Sequence, residues 1–272
     1  MSVMQTATGR RIFYDVVGEG PPLLAITGLA SSRKALLASL SDALTSRLQI
    51  AVMDNRDAGE SDPEPDYYTI ADMANDATTL LNALGIAHAH VLGYSMGGTV
   101  ALQLALDHPL RVDRLVLVSA HAYNGLDHRA GEPLPPPPVW WTDDPVERWQ
   151  RLMPEVVGPE YRDGLTDHDL KIHAELDRGN RATWTRAMRQ VATRSGLDMR
   201  DRLTEVRSPT LVIHGEMDPV VSAEHGELLA AGIPGARLHV LPRVGHVPFT
   251  EVPDEVTRAI LNFLSENDEV SS

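Results

Sequence analysis

Short apolar, β-branched runs alternate along this chain with longer stretches of helical periodicity, the pattern of parallel strands joined by crossover helices. Residues 23–27 (LLAIT), 50–54 (IAVMD), 89–94 (AHVLGY), 114–120 (RLVLVSA), 210–215 (TLVIHG) and 237–242 (RLHVLP) read as central strands. Between them, helical periodicity occupies 33–46, 70–84, 96–107, 223–231 and 254–264, with Gly85 just past one helix and Pro109 shortly after another. Residues 11–17 (RIFYDVV) alternate polar and apolar positions before GEGPP turns the chain, which predicts an antiparallel, hairpin-like start. The alternation stops after SAHAYNG. From about 122 to 204 no strand is predicted, the proline run 135–138 reads as a stiff extended connector, and the remainder is helical. Strand rhythm resumes at SPTLVIHG. The organisation predicted is an α/β core domain, 1–121 and 205–272, carrying a helical insertion, 122–204, seated on the sheet.

With 272 residues, 43% of them hydrophobic, the chain is long enough for one large core. Its formal net charge of −14 argues against a nucleic-acid partner, because neutralising phosphates takes clustered Lys and Arg. No run reaches the roughly 18–20 apolar residues of a membrane span, and the N-terminus lacks the apolar core of a signal peptide. The expectations are no membrane partner and a cytoplasmic location, with a homo-oligomer left open. Cysteine is absent, which removes disulfides, thiolate metal sites and a thiol nucleophile. Covalent chemistry then falls to Ser, Thr, Lys, Asp or Glu.

The run HVLGYSMGGTVALQLAL supplies a candidate. Gly93, Tyr94, Ser95, Met96 and Gly97 fit G-x-S-x-G between a predicted strand and a predicted helix. A serine there sits on a turn too sharp for side chains at the flanking positions, and the following helix aims its N-terminal amides at whatever bonds to the hydroxyl. The competing role is a serine helix cap flanked by packing glycines. A serine hydroxyl needs a base, and the base an orienting carboxylate, here expected in the order Ser, acid, His. His246 lies in a Gly/Pro loop after the last strand. Asp218 lies in the turn after the strand 210–215, with Glu216 as its nearest competitor. His90, His121 and His214 read as structural or pocket-edge residues. For a developing oxyanion, the backbone amides of Met96 and Leu29 are the predicted donors, with Gly28 giving that loop its freedom.

In order and combination, ITGLASS, MDNRDAGESD, GYSMGG, HGEMDPVV and VGHVPF resemble the α/β-hydrolase superfamily over nearly the whole chain. Among its subgroups the sequence is similar to small capped esterases and lactonases, including 3-oxoadipate enol-lactone hydrolases, and to cofactor-free haloperoxidases. The resemblance implies an eight-stranded, mostly parallel sheet, a helical cap over the site, and no metal or organic cofactor. Two positions depart from the family pattern: Thr27 stands where His commonly precedes Gly28, and Asp57 occupies a position that is Gly in many relatives. A serine at position 95 argues against haloalkane dehalogenase or epoxide hydrolase chemistry, whose ester intermediate needs a carboxylate nucleophile.

These features predict a carboxylic ester or lactone hydrolase acting on a small molecule through Ser95, Asp218 and His246. The substrate-binding candidates are Gly28, Trp140, Trp141, Val220 and Val247, with Trp149, Trp184, Met153 and Met188 as further roof residues or as the core of the insertion. Hydrolysis of a carbon–carbon bond in a ring-cleavage product uses the same constellation, and a non-catalytic hydrolase-fold receptor is the alternative outside enzymology.

Overall fold

Strands buried on both faces need apolar residues at successive positions, and this chain places five such runs side by side. The computed structural model describes residues 2–6, 8–123, 136–139, 141–176 and 178–266; Trp140 and the start of the proline connector lie outside them. The strands are β1 (Ser2–Gln5), β2 (Arg11–Val17), β3 (Pro22–Ile26), β4 (Gln49–Met53), β5 (Ala89–Tyr94), β6 (Val112–Val118), β7 (Thr210–Gly215) and β8 (Arg237–Leu241). They form one sheet in the order β1-β2-β4-β3-β5-β6-β7-β8. From β4 to β8 every pairing is parallel. The antiparallel start is present, but β2 pairs with β1 and β4 rather than across the GEGPP turn. Strand β1 escapes a sequence reading because only one of its four side chains, Met4, is buried.

Period-two alternation divides β3 between two cores. Leu24 and Ile26 face the layer of α3 (Ile70–Ala83), α4 (Met96–Asp107) and α9 (Ala223–Gly232). Leu23 and Ala25 face the layer of α1 (Arg33–Ser39), α2 (Asp42–Thr45) and α11 (Pro253–Leu264). Helix α4 is buried from Met96 through Leu106, which explains an apolar composition on every side. Helix α3 starts on a reciprocal cap in which Thr69 accepts from the Asp72 amide and the Asp72 carboxylate accepts from the Thr69 amide.

The predicted helix 33–46 is two helices. Leu40 turns extended between them, and Ser39 uses its hydroxyl to bond the Ala35 carbonyl while Ser41 opens α2. Serines at that junction compete with the helical backbone for hydrogen bonds, while buried Leu36, Leu40 and Leu44 hold both pieces on the sheet. Between β6 and β7 lie α5 (Pro145–Val156), α6 (Pro159–Gly164), α7 (Asp167–Leu176) and α8 (Trp184–Ala192). Met153, Val156 and Val157 pack on Val247, just before the short helix α10 (Pro248–Glu251). No helix among the described residues is long and apolar enough to cross a membrane.

Candidate active site

The carboxyl ends of parallel strands form one rim, and the loops leaving β3, β5, β7 and β8 meet there. At the end of β5, Ser95 has φ 53° and ψ −122°, a left-handed backbone that a non-glycine residue adopts only when its surroundings force it. The neighbouring glycines supply the space. A β-carbon on Gly93 would lie 2.3 Å from the Gly97 carbonyl oxygen, and one on Gly97 would lie 2.2 Å from that of Ile26. Gly28 passes so close that its β-carbon would sit 3.3 Å from Cβ of Ser95.

Ser95, His246 and Asp218, far apart in the chain, converge on this rim. His246 Nε2 lies 3.0 Å from the Ser95 hydroxyl, and His246 Nδ1 lies 2.7 Å from Asp218 Oδ2. A carboxylate only accepts, so Nδ1 carries the proton and Nε2 is left to accept from Ser95. The second Asp218 oxygen accepts from the amides of Val220 and Val221 at 2.8 and 2.9 Å, which fixes the carboxylate's rotation. Glu216 instead points outward, accepting from the Arg243 amide at 3.1 Å, and takes no part in the relay. The His246 loop is held from several sides. Its amide donates to the Val156 carbonyl at 2.7 Å and its carbonyl accepts from the Tyr94 hydroxyl at 3.1 Å. One carboxylate, Glu251, accepts from the amides of Gly158, Gly245 and Val247. Nothing in the sequence marks Glu251 for that work, since its partners are all backbone.

The loop 27–31 is held by groups the sequence reading passed over. In place of the common histidine, Thr27 offers its carbonyl and hydroxyl to the Asn55 amide group, at 2.9 and 3.1 Å. Beyond it, the Ala30 amide donates to Gln190 Oε1 at 2.7 Å and the Ala30 carbonyl accepts from Asn180 at 2.6 Å. Gln190 also donates to the Arg56 carbonyl, so one side chain from α8 ties two core loops together. Asp57, at φ 65°, keeps the left-handed conformation that glycine favours. Its buried carboxylate is paired with Arg189 and accepts from the Tyr68 hydroxyl at 3.1 Å, contacts that glycine lacks. Beneath the loop, Arg33 is fully buried among the carboxylates of Asp15, Asp54 and Glu60.

A cavity of about 550 Å³ opens over Ser95 and His246. Of the predicted contact residues, Gly28, Trp141, Val220 and Val247 line it, as do Leu29 and Trp149. Trp184 stands behind Trp141 at 5.0 Å between ring centroids, while Met153 and Met188 are buried away from the lining. Most of the wall is apolar. Its polar side chains include Arg148, Glu155 and a group formed by His121, Tyr123, Arg194 and His225, of which the sequence marks only His121, as an edge residue. Burial pushes His121 down to about 3, with the charge of Arg194 acting in the same direction, so its imidazole is neutral in ordinary buffers.

A family model described as alpha/beta hydrolase fold matches residues 21–253. The curated protein "Putative carbamate hydrolase RutD" of Caulobacter sp. (strain K31) is 29% identical over 276 residues, spanning 96% of this chain and 98% of that one. A meta-cleavage product hydrolase from Pseudomonas fluorescens IP01 superposes with a TM-score of 0.80 at 26% identity, over 97% of each chain. A thermophilic esterase from Thermogutta terrifontis superposes with a TM-score of 0.76 at 26% identity, over 97% of this chain and 98% of that one.

Proposed function

Because the chain belongs to the α/β-hydrolase fold family, we propose that it is a serine hydrolase that cleaves a carboxylic ester or lactone through an acyl-enzyme. The observation that carries this reading is the relay Ser95–His246–Asp218 at the mouth of a largely apolar cavity. As Ser95 Oγ attacks the carbonyl carbon, its proton passes to His246 Nε2, and Asp218 stabilises the imidazolium that forms. The amides of Leu29 and Met96 receive the negative charge on the carbonyl oxygen, each worth on the order of 10²- to 10³-fold in rate. His246 then protonates the alkoxide as the carbon–oxygen bond breaks. Water, deprotonated by His246, attacks the acyl carbon, and the proton returns to Ser95 as the acid leaves.

Helices α5 and α8, with the other described residues of 122–204, serve in this reading as a cap that encloses the acyl or alcohol group. Trp141 and Trp149 from that segment line the cavity and support the assignment. The esterase of similar fold supports the bond type. Carbon–carbon bond hydrolysis is the second reading, favoured by the similarity to a meta-cleavage product hydrolase.

The test is turnover of a panel of 4-nitrophenyl esters, lactones, carbamates and a ring-cleavage dienone by wild type and Ser95→Ala. The expected result is ester or lactone cleavage that falls by about 10³-fold or more in the variant, with a fluorophosphonate adduct mapped to Ser95. Wild-type rates persisting in Ser95→Ala would remove the nucleophile, and dienone turnover without ester turnover would select the second reading.

A further inference from the structure

Buried cations in proteins are almost always paired, and Arg194 is not. It is 9% exposed, lines the cavity, and no carboxylate or carbonyl accepts from its guanidinium among the described residues. Its Nε is buried without a partner, as are both ring nitrogens of His121 and Nδ1 of His225. The three side chains come from α8's end, β6's end and α9, and the rings of His121 and His225 lie 5.9 Å apart, with Tyr123 stacked on His225 at 4.7 Å. Arg194, His121 and His225 thus bring side chains whose nitrogens have no protein partner to one wall of a largely apolar cavity, where the fold itself leaves the guanidinium charge uncompensated. The other arginine of the lining, Arg148, shows the contrast: the carbonyls of Thr142 and Ala182 accept from it, and it lies over the Trp141 ring. Glu155, the acid of the lining, is exposed and forms no ion pair with Arg194.

We propose that this wall binds a carboxylate carried by the substrate itself, with Arg194 as its counter-ion and His121 and His225 as flanking hydrogen-bond partners. Resting on the hydrolase reading, this narrows the substrate to a half-ester of a dicarboxylic acid or a carboxylated lactone, with the scissile carbonyl at Ser95 and the carboxylate at Arg194. A planar fork matches the two oxygens of a carboxylate, and one cation beside neutral imidazoles balances one negative charge rather than a phosphate dianion. Burial lowers Arg194 to about 10, which leaves it charged at neutral pH. The apolar remainder of the cavity suits the methylene chain between the two ends.

The test pairs two esters of equal length, mono-4-nitrophenyl glutarate and 4-nitrophenyl valerate, which differ in a terminal carboxylate against a methyl. Wild type is expected to favour the anionic ester in kcat/KM, and the anionic-to-neutral ratio to fall by about 10- to 100-fold in Arg194→Gln. Arg194→Lys, which keeps charge but not the fork, should retain part of that ratio. A merely structural role would lower both rates together and leave the ratio unmoved, and that result overturns the proposal. Titration calorimetry on Ser95→Ala, with monomethyl glutarate against methyl valerate, reads the same site without turnover. If neither nitrophenyl ester is cleaved, the hydrolase reading fails on its own, and the calorimetry still decides. A preference for the anion that disappears in Ser95→Ala/Arg194→Gln sustains the carboxylate site, and equal binding of the two esters ends it.

Discussion

Arg33 and Arg194 are both buried arginines, and they keep opposite company. Arg33, under the loop 27–31, has Asp15, Asp54 and Glu60 around it. Burial alone would lower its pKa, yet Asp54, Glu60 and Asp15 outweigh that and raise it. Arg194, in the cavity wall, has burial and nothing to oppose it, and its pKa falls. A charge whose partners come from the fold is part of the scaffold. A charge left without them is set aside for something that arrives later.

The sharpest way to break this comparison is to remove each cation in turn. Arg33→Met strands the fully buried Asp54 and should cost about 3–5 kcal/mol in urea unfolding. Arg194→Met removes an uncompensated charge and is expected to leave stability unchanged or raised in the same measurement. Comparable losses in both would erase the distinction.

Acid titration gives the next largest effect. His121 binds its proton near 3 in the folded chain, against an ordinary 6.5 in the unfolded one, because of burial and then the charge of Arg194. Between those values the unfolded chain holds more protons, so stability falls as pH drops from 6.5 toward 3. His121→Gln should flatten that slope by up to about 1.4 kcal/mol per pH unit. In Arg194→Gln the His121 imidazole, followed by NMR, should titrate at higher pH than in wild type.

A smaller effect is expected where the insertion clamps the Arg33 region from above. Gln190→Ala releases the Ala30 amide and the Arg56 carbonyl, and with them the loop that carries the Leu29 amide. Loss of roughly tenfold in kcat, with a lesser change in KM, is expected in steady-state assays. Gln190→Glu, which keeps the acceptor for Ala30, should restore part of it. The smallest effect belongs to pairing without burial: the exposed pair Arg178 and Glu175 should leave the thermal midpoint where it is when Arg178 becomes Ala.

Much of the fold was legible in the sequence because it rests on local patterns. Continuous apolar runs announced the parallel strands, and Gly93, Ser95 and Gly97 announced a turn whose sterics admit few other residues. The break at Leu40 and the strand Ser2–Gln5 stayed hidden, since one turns on serine hydroxyls and the other on a single buried methionine. Of the candidate site, Ser95 and the order Ser, Asp, His were readable, and with them Gly28, Trp141, Val220 and Val247 as cavity residues. Glu251, Asn55 and Gln190 were not readable, because each bonds backbone groups that any sequence would present.

The sequence by itself determined most of the elements and where a serine must sit on a tight turn between a strand and a helix, because propensity, periodicity and glycine sterics act over a few residues. Only the tertiary structure decided which of many charged side chains are neutralised and which are not. The carboxylates around Arg33 lie 18 to 27 residues away and the one on Arg189 lies 132 away, and the cost of leaving a buried arginine unpaired depends on water excluded by the whole fold.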